Sequence, residues 1–488
     1  MNSASYAIRF RFVAYYLGQL CMSLALFAIV PIAYVVLDER HWNQILPFLS
    51  MTLSLGLAGL ALNRVRPQGD LQRNEALVIV VLAFLMASLA FALAMYGRGL
   101  SFVDSFFEAV SGITTTGLST FENIQGEPRD IIFTASWLQW MGGLGTMVLA
   151  FALLFGQGLS SKRLTEAMGG QTHTLGGSRA YARIVLTVYL ALTVAGVILI
   201  KLAGTDWFDA VNLGFAAVST GGYSPYNDSL GSLGQPVQLA VTGVALSGAL
   251  AIPLYYSLWQ RDWRRVLSDP ELHTLWIMVL VLSILLGVIL SLHHDGSPVA
   301  HFETAFLTVA SAQSTAGFAA IPLGDLDADA KLLLIFSMLV GGGAGSTAGG
   351  FKLLRLLIIL RLIQLLVQRS SLSENAVASR SILGRKWEDE TLLTVLLVVL
   401  LHLLTVAASW LVFLAYGYDP LNALFDVVSA VSTVGLSTGL VSASLPEPLK
   451  WLLCADMLLG RLEFLAILVF LAPRTWLGQR KSAPSAAH

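Results

Sequence analysis

Ser111-Gly-Ile-Thr-Thr-Thr-Gly117-Leu-Ser, Ala217-Val-Ser-Thr-Gly-Gly222-Tyr-Ser, Ala312-Gln-Ser-Thr-Ala-Gly317-Phe-Ala and Ala430-Val-Ser-Thr-Val-Gly435-Leu-Ser are four versions of one motif. They share Thr-x-Gly followed by Leu, Tyr or Phe, and their glycines stand 105, 95 and 118 residues apart. One such tetrapeptide carries no information, because Ser/Thr/Gly turns between helices are common. Four in phase, each between two apolar runs, are an internal repeat, and an internal repeat decides the fold. A short amphipathic stretch precedes each: Phe102 to Ser111, Trp207 to Val218, His301 to Ala312 and Pro420 to Ala430. These fall short of the roughly 20 residues that cross a bilayer. They are expected to be half-helices that enter a membrane from its outer side and turn back.

The rest of the chain supplies that membrane. Of its 488 residues 56% are hydrophobic and 12% charged, against about a quarter charged in soluble domains, and its mean hydropathy is +0.73. Spans are expected at 12–37, 45–62, 76–97, 131–157, 184–203, 236–258, 273–294, 331–367 with a break, 391–416 and 448–472. The apolar runs do not alternate, which excludes an outer-membrane barrel. Arg9 and Arg11 precede a run too long for a signal peptide, which reads as the first span. Of the 29 basic residues 22 fall beside the first span's start or an even-numbered exit, so both termini are expected in the cytoplasm. A net charge of −1 without a basic patch gives no sign of nucleic acid. Cys21 and Cys454 lie within apolar runs and read as buried thiols.

The fold class is therefore all-α integral membrane: four pseudo-repeats of helix, pore loop and helix around one central pore, plus two extra N-terminal transmembrane helices. The expected units are residues 1–70 for the N-terminal pair, 71–170, 171–265 and 266–385 for the first three repeats, and 386–488 for the fourth with the C-terminus.

The chemistry of the bends follows from glycine and carbonyls. Irregular backbone at membrane depth is tolerated only where protein buries it or it lines a watery cavity. A cation leaving water needs replacement oxygens, and backbone carbonyls supply them without a trapping charge. Glycine reaches the necessary dihedrals without a Cβ penalty. The candidate ion-binding residues are Thr115, Thr116, Gly117 and Leu118; Thr220, Gly221, Gly222 and Tyr223; Thr315, Ala316, Gly317 and Phe318; and Thr433, Val434, Gly435 and Leu436. Asp104, Glu108, Asp209, Glu303 and Asp426 near the half-helix starts either draw cations to the outer mouth or complement helix dipoles.

Two further features stand out. The eighth span contains Gly341-Gly-Gly-Ala-Gly-Ser-Thr-Ala-Gly-Gly350-Phe-Lys352. Such a density of Gly breaks a helix, each interior Gly costing about 1 kcal/mol. No strand precedes it and no Gly-Lys-Ser/Thr occurs in it, so it is not a nucleotide-binding loop. Tight helix packing on small residues is the competing reading. Arg461 sits inside the last span, where insertion costs about 2.5–3.5 kcal/mol, so it needs a partner or water. Asp456, Glu463 or a group on another helix are the candidates.

The four Thr-x-Gly bends in helix–pore loop–helix repeats resemble the Trk/Ktr/HKT superfamily of potassium transporters, over about residues 76–472. The spans before residue 76 resemble the bacterial TrkH/TrkI branch rather than KtrB. The resemblance implies potassium uptake across a bacterial inner membrane, with potassium the ion held in the four-loop filter and no organic cofactor. Glycine in all four filters resembles the potassium-selective pattern. Gly341, Gly342, Gly343, Gly345, Ser346, Thr347, Gly349 and Gly350 would form the family's intramembrane gating loop, with Lys352 near the cytoplasmic pore and Arg461 completing the barrier. The resemblance also implies a homodimer with two separate pores and a cytosolic ring-forming regulatory subunit that binds NAD(H) or ATP. The candidate docking loops are 158–183, 261–270 and 368–390. A symporter coupling potassium or sodium to another cation is the alternative. A membrane-embedded lipid-linked transferase is the remote one, because no acidic or His cluster gathers at one face.

Overall fold

The computed structural model describes residues 7–37, 45–64, 66–69, 71–96, 100–154, 175–370, 381–382, 385–386 and 389–477. Two helices lead: α1 (Phe10–Leu37) and α2 (Ile45–Leu62). They cross at Gly18 and Gly59, where an added Cβ would fall within 3.0 Å of the other helix's backbone, the close approach that small residues permit in lipid. Four units follow. The first is α3 (Arg73–Tyr96), α4 (Phe102–Ile113) and α5 (Arg129–Leu154). The second is α6 (Leu175–Leu202), α7 (Trp207–Val218), α8 (Gln235–Gly248) and α9 (Ile252–Trp259), with α10 (Trp263–Leu267) leading onward. The third is α11 (Pro270–His293), α12 (Pro298–Gln313), α13 (Ala328–Val340) and α14 (Leu353–Ser370). The fourth is α15 (Asp389–Ala415), α16 (Pro420–Val431), α17 (Glu447–Arg461), α18 (Leu465–Leu471) and α19 (Pro473–Leu477). Two-residue strands at Ser381–Ile382 and Arg385–Lys386 pair between the third and fourth units.

Each unit thus repeats long helix, short helix, bend, second helix. The short helices α4, α7, α12 and α16 are buried over half or more of their length, Ala216, Ala217, Val427 and Val428 completely. The long helices surround them and turn Leu26, Leu57, Leu93, Ile284 and Leu404 outward. An apolar rim around a partly polar centre suits lipid as the solvent. Six helices are long and apolar enough to cross a membrane, among the described residues.

The expected break in the eighth span lies between α13 and α14. Two more spans break where continuous helices were expected. α8 and α9 meet at 93°, and α17 ends at Arg461, with Glu463 and Phe464 at φ 56° and 53° before α18. The start and end of the described chain lie together: Ile8 N donates to Thr475 O at 2.9 Å, and Arg9 grips Glu75 through two nitrogens at 2.8 Å.

Candidate functional site

All four short helices end in the same way. The residue after each is Thr114, Ser219, Ser314 or Ser432, still helical or nearly so. The next is a threonine with φ between 50° and 54°: Thr115, Thr220, Thr315 and Thr433. Its N–H and that of the following residue bond back into the helix, as Thr115 N to Gly112 O and Thr116 N to Ser111 O, both 2.9 Å. This is a Schellman ending with threonine where glycine is the usual occupant. A β-branched residue there stores strain on the order of 1–3 kcal/mol, a cost that marks functional sites. Two residues on, Gly117, Gly222, Gly317 and Gly435 are left-handed again, at φ 76–95°. This alternation of backbone handedness turns successive carbonyls toward one side of the strand.

The bends meet in a closed ring. A Cβ on Gly117 would fall 2.0 Å from Gly221 O, one on Gly222 2.4 Å from Ala316 O, one on Gly317 2.1 Å from Val434 O, and one on Gly435 2.0 Å from Thr116 O. Each glycine therefore abuts the carbonyl of the middle residue in the next unit, in cyclic order, and the fourth returns to the first. All sixteen sequence-derived residues fall within these four bends. Thr115 Oγ1 and Thr433 Oγ1 are buried without a hydrogen-bond partner.

Residues outside the motif brace the ring. Gln139 on α5 donates to Gly221 O and accepts from Tyr223 N at 3.1 Å. Glu108 is not at the outer mouth but buried beside the first bend, where it accepts from Thr120 N, Thr120 Oγ1, Ser119 Oγ and the Tyr223 hydroxyl. Asp426 accepts from Ser437 Oγ, Thr438 N and Thr438 Oγ1 beside the fourth bend. The pattern was readable: Gly-Leu-Ser-Thr follows the motif threonines only where a carboxylate precedes the glycine by nine residues. Asp104 pairs with Lys450 at 2.6 Å. Asp209 accepts from the Tyr226 hydroxyl and Glu303 from Gln235, so each of the five acids is engaged by a protein donor.

The Gly-rich segment between α13 and α14 presses against the ring. Gly349 N donates to Thr315 Oγ1 at 2.7 Å, and Gly350 N to Ser432 O at 3.0 Å. Gly343 N and Thr347 N donate to Ala249 O and Gly248 O at 3.0 and 3.2 Å. Both carbonyls lie at the bend between α8 and α9, and carbonyls freed by a break in lipid need donors. Glu271 at the start of α11 accepts from Ala344 N at 2.8 Å, a tether that the sequence reading missed. Lys352 donates to Ala348 O. Arg461 donates to Thr347 O at 2.7 Å and to Thr146 Oγ1 at 2.8 Å. Its partners therefore lie on other elements: Glu463 pairs with Arg355 at 2.7 Å, and Asp456 accepts from Ser409 at 2.8 Å. A cavity borders the loop, walled by Ser346, Lys352, Arg355, His402, Arg461 and Glu463 among others. Three basic side chains, Lys352, Arg355 and Arg461, face one acidic side chain, Glu463, in its wall.

The chain is similar to known cation transport proteins. The TrkH family model, described as cation transport protein, matches residues 50–477. The Trk system potassium uptake protein TrkH of Escherichia coli is 31% identical over 84% of this chain and 88% of its own. An uncharacterised cation transporter of Methanocaldococcus jannaschii is 29% identical over 94% and 95%. The crystal structure of the potassium transporter TrkH from Vibrio parahaemolyticus superposes with a TM-score of 0.85 at 27% identity, covering 96% of this chain and all of that one.

Proposed function

We propose that this chain, which belongs to the TrkH family of cation transport proteins, takes up potassium through a single pore whose selectivity filter is the ring of four Thr-x-Gly bends. The closed cycle of glycine-to-carbonyl contacts carries the reading. It crowds main-chain oxygens from four strands around one axis, and such oxygens replace the hydration shell of a monovalent cation. The C-terminal ends of the four short helices add negative potential there. Potassium as the ion is supported by the relatives that bear potassium in their names.

The segment Gly341–Lys352 is the gate in this reading, and Arg461 is its latch. The loop donates into the filter's own Thr315 hydroxyl, and Arg461 holds Thr347 beneath it. Conduction fits better than symport because the units run in one cyclic order, whereas many secondary transporters pair inverted repeats. The chain would sit in a bacterial inner membrane with both termini cytoplasmic, supported by the side bias of Lys and Arg. A homodimer and a cytosolic ring-forming subunit that binds NAD(H) or ATP complete the proposal. Of the docking loops, 261–270 is described, whereas residues 158–174, 371–380, 383–384 and 387–388 lie outside the described residues.

The deciding experiment is rubidium uptake by the purified chain in liposomes under an imposed potassium diffusion potential. Uptake that follows the potential without a second ion gradient is expected. No flux in loaded vesicles, or flux only with a coupled gradient, defeats the pore.

A further inference from the structure

A ring built from one chain has a seam. Connecting segments join the first unit to the second, the second to the third and the third to the fourth, but none joins the fourth to the first. At every joint the start of a second helix grips the next unit's short helix. The Arg129 guanidinium lies 5.0 Å over the Phe208 ring, Gln235 donates to Glu303, and Lys331 donates to Asn422 Oδ1 at 2.9 Å. At the seam the grip is an ion pair: Lys450 Nζ meets Asp104 Oδ1 at 2.6 Å, with the side chains 4% and 17% exposed. Arg129 also acts on Asp209 across the first joint, through its field, but among the described residues no other joint carries a Lys/Arg–carboxylate contact within 4.0 Å. Lys450 also donates to Ala443 O at 2.8 Å, fixing the strand beyond the fourth bend. Asp104 also accepts from Ser101 Oγ at 2.6 Å. Beside the pair, the Phe106 and Trp451 rings stand 5.0 Å apart.

We infer that Asp104 and Lys450 are positioning residues for ion selection, a charged latch that sets the width of the carbonyl ring at the joint no connecting segment crosses. The inference rests on the reading of the four bends as the filter. A buried pair cannot part without leaving two charges uncompensated in low dielectric, so it resists opening of the seam more firmly than a grip with a charge on one side only. Opening there moves Gly435 away from Thr116 O, the contact that closes the cycle. Oxygen spacing around the ion changes with it, and spacing and number of carbonyls are what a filter discriminates by.

The test is the reversal potential of the purified chain in planar bilayers with sodium on one side and potassium on the other. Asp104→Asn and Lys450→Met are each expected to raise the sodium-to-potassium permeability ratio roughly tenfold, or about 1.4 kcal/mol of discrimination. The double variant should be no worse than the worse single, and the charge-exchanged Asp104→Lys/Lys450→Asp should recover most of the loss. Lys331→Met, at a joint the chain crosses, should shift the ratio far less. Unchanged ratios in both single variants, or an equal shift in Lys331→Met, overturn the latch. If the single variants fail to fold, the exchanged chain decides: selectivity near that of the parent supports the latch, and a folded, conducting but unselective chain refutes it. Gly117→Ser measured alongside separates the two levels. A shift in Gly117→Ser without one in the latch variants removes the latch alone, and no shift in any of them removes the filter itself.

Discussion

Thr115, Thr220, Thr315 and Thr433 hold a left-handed conformation that costs a β-branched residue on the order of 1–3 kcal/mol. Glycine would end each short helix more cheaply, so the hydroxyl must be worth the strain. Thr115 and Thr433 keep that hydroxyl oxygen free of protein partners, which leaves its lone pairs open to the ion of the proposed filter. Thr115→Gly is therefore expected to keep or raise thermal stability while weakening potassium discrimination, checked by a melting curve beside bi-ionic reversal potentials. Gly117→Ser works through space instead. Its Cβ would lie 2.0 Å from Gly221 O, so the first and second bends must separate, at a cost of about 1–3 kcal/mol for overpacking. Sodium permeation relative to potassium should rise roughly tenfold, about 1.4 kcal/mol, and an unchanged ratio would take Gly117 out of the filter. The glycines were legible because a four-times repeated Thr-x-Gly is improbable by chance. Gln139 was not, because a single Gln in a Trp-rich helix has no repeat to betray it.

At the scale of elements, the breaks in the second helices differ in how well the sequence announces them. Five glycines between Gly341 and Gly349 make the first unmistakable. The break at Ala249–Ala251 had a fainter sign in Pro253, since proline lacks the N–H that a continuous helix needs and fits the first turn of a new one. The break after Arg461 has no local sign: Leu-Glu-Phe is good helix sequence, and Gly460 abutting Val431 O is a tertiary fact. Hydropathy sees apolar length, not the hydrogen bonds a neighbouring loop takes over. The packing of that loop gives a sharp expectation. A Cβ on Gly349 would lie 2.0 Å from Ser432 O and 2.3 Å from Thr433 Oγ1, so Gly349→Ala forces the loop away from the bends. Basal rubidium flux should rise several-fold, and Arg461→Ala should raise it too by releasing Thr347 O and Thr146. If neither variant leaks more than the parent in the same vesicles, the loop is not the barrier.

For the whole molecule, the decisive property is that the cycle of contacts closes within one chain, Gly435 returning to Thr116. The repeat count announced four equivalent parts, and apolar length announced a membrane, but cyclic order and seam are properties of folded geometry alone. Closure within a chain has a consequence that a pore shared among chains would not share. In a shared ring, mixing two kinds of chain produces rings of every composition, each with its own selectivity. Here each ring is wholly one kind or the other, whatever the number of chains in the assembly. When parent and Gly117→Ser chains are co-expressed, co-purified and recorded as single channels, two reversal potentials are expected and no intermediate ones, their proportion following the ratio of the two chains. A ladder of intermediate values would mean that bends from different chains line a common path, and the ring drawn here within one chain would not be the conducting unit.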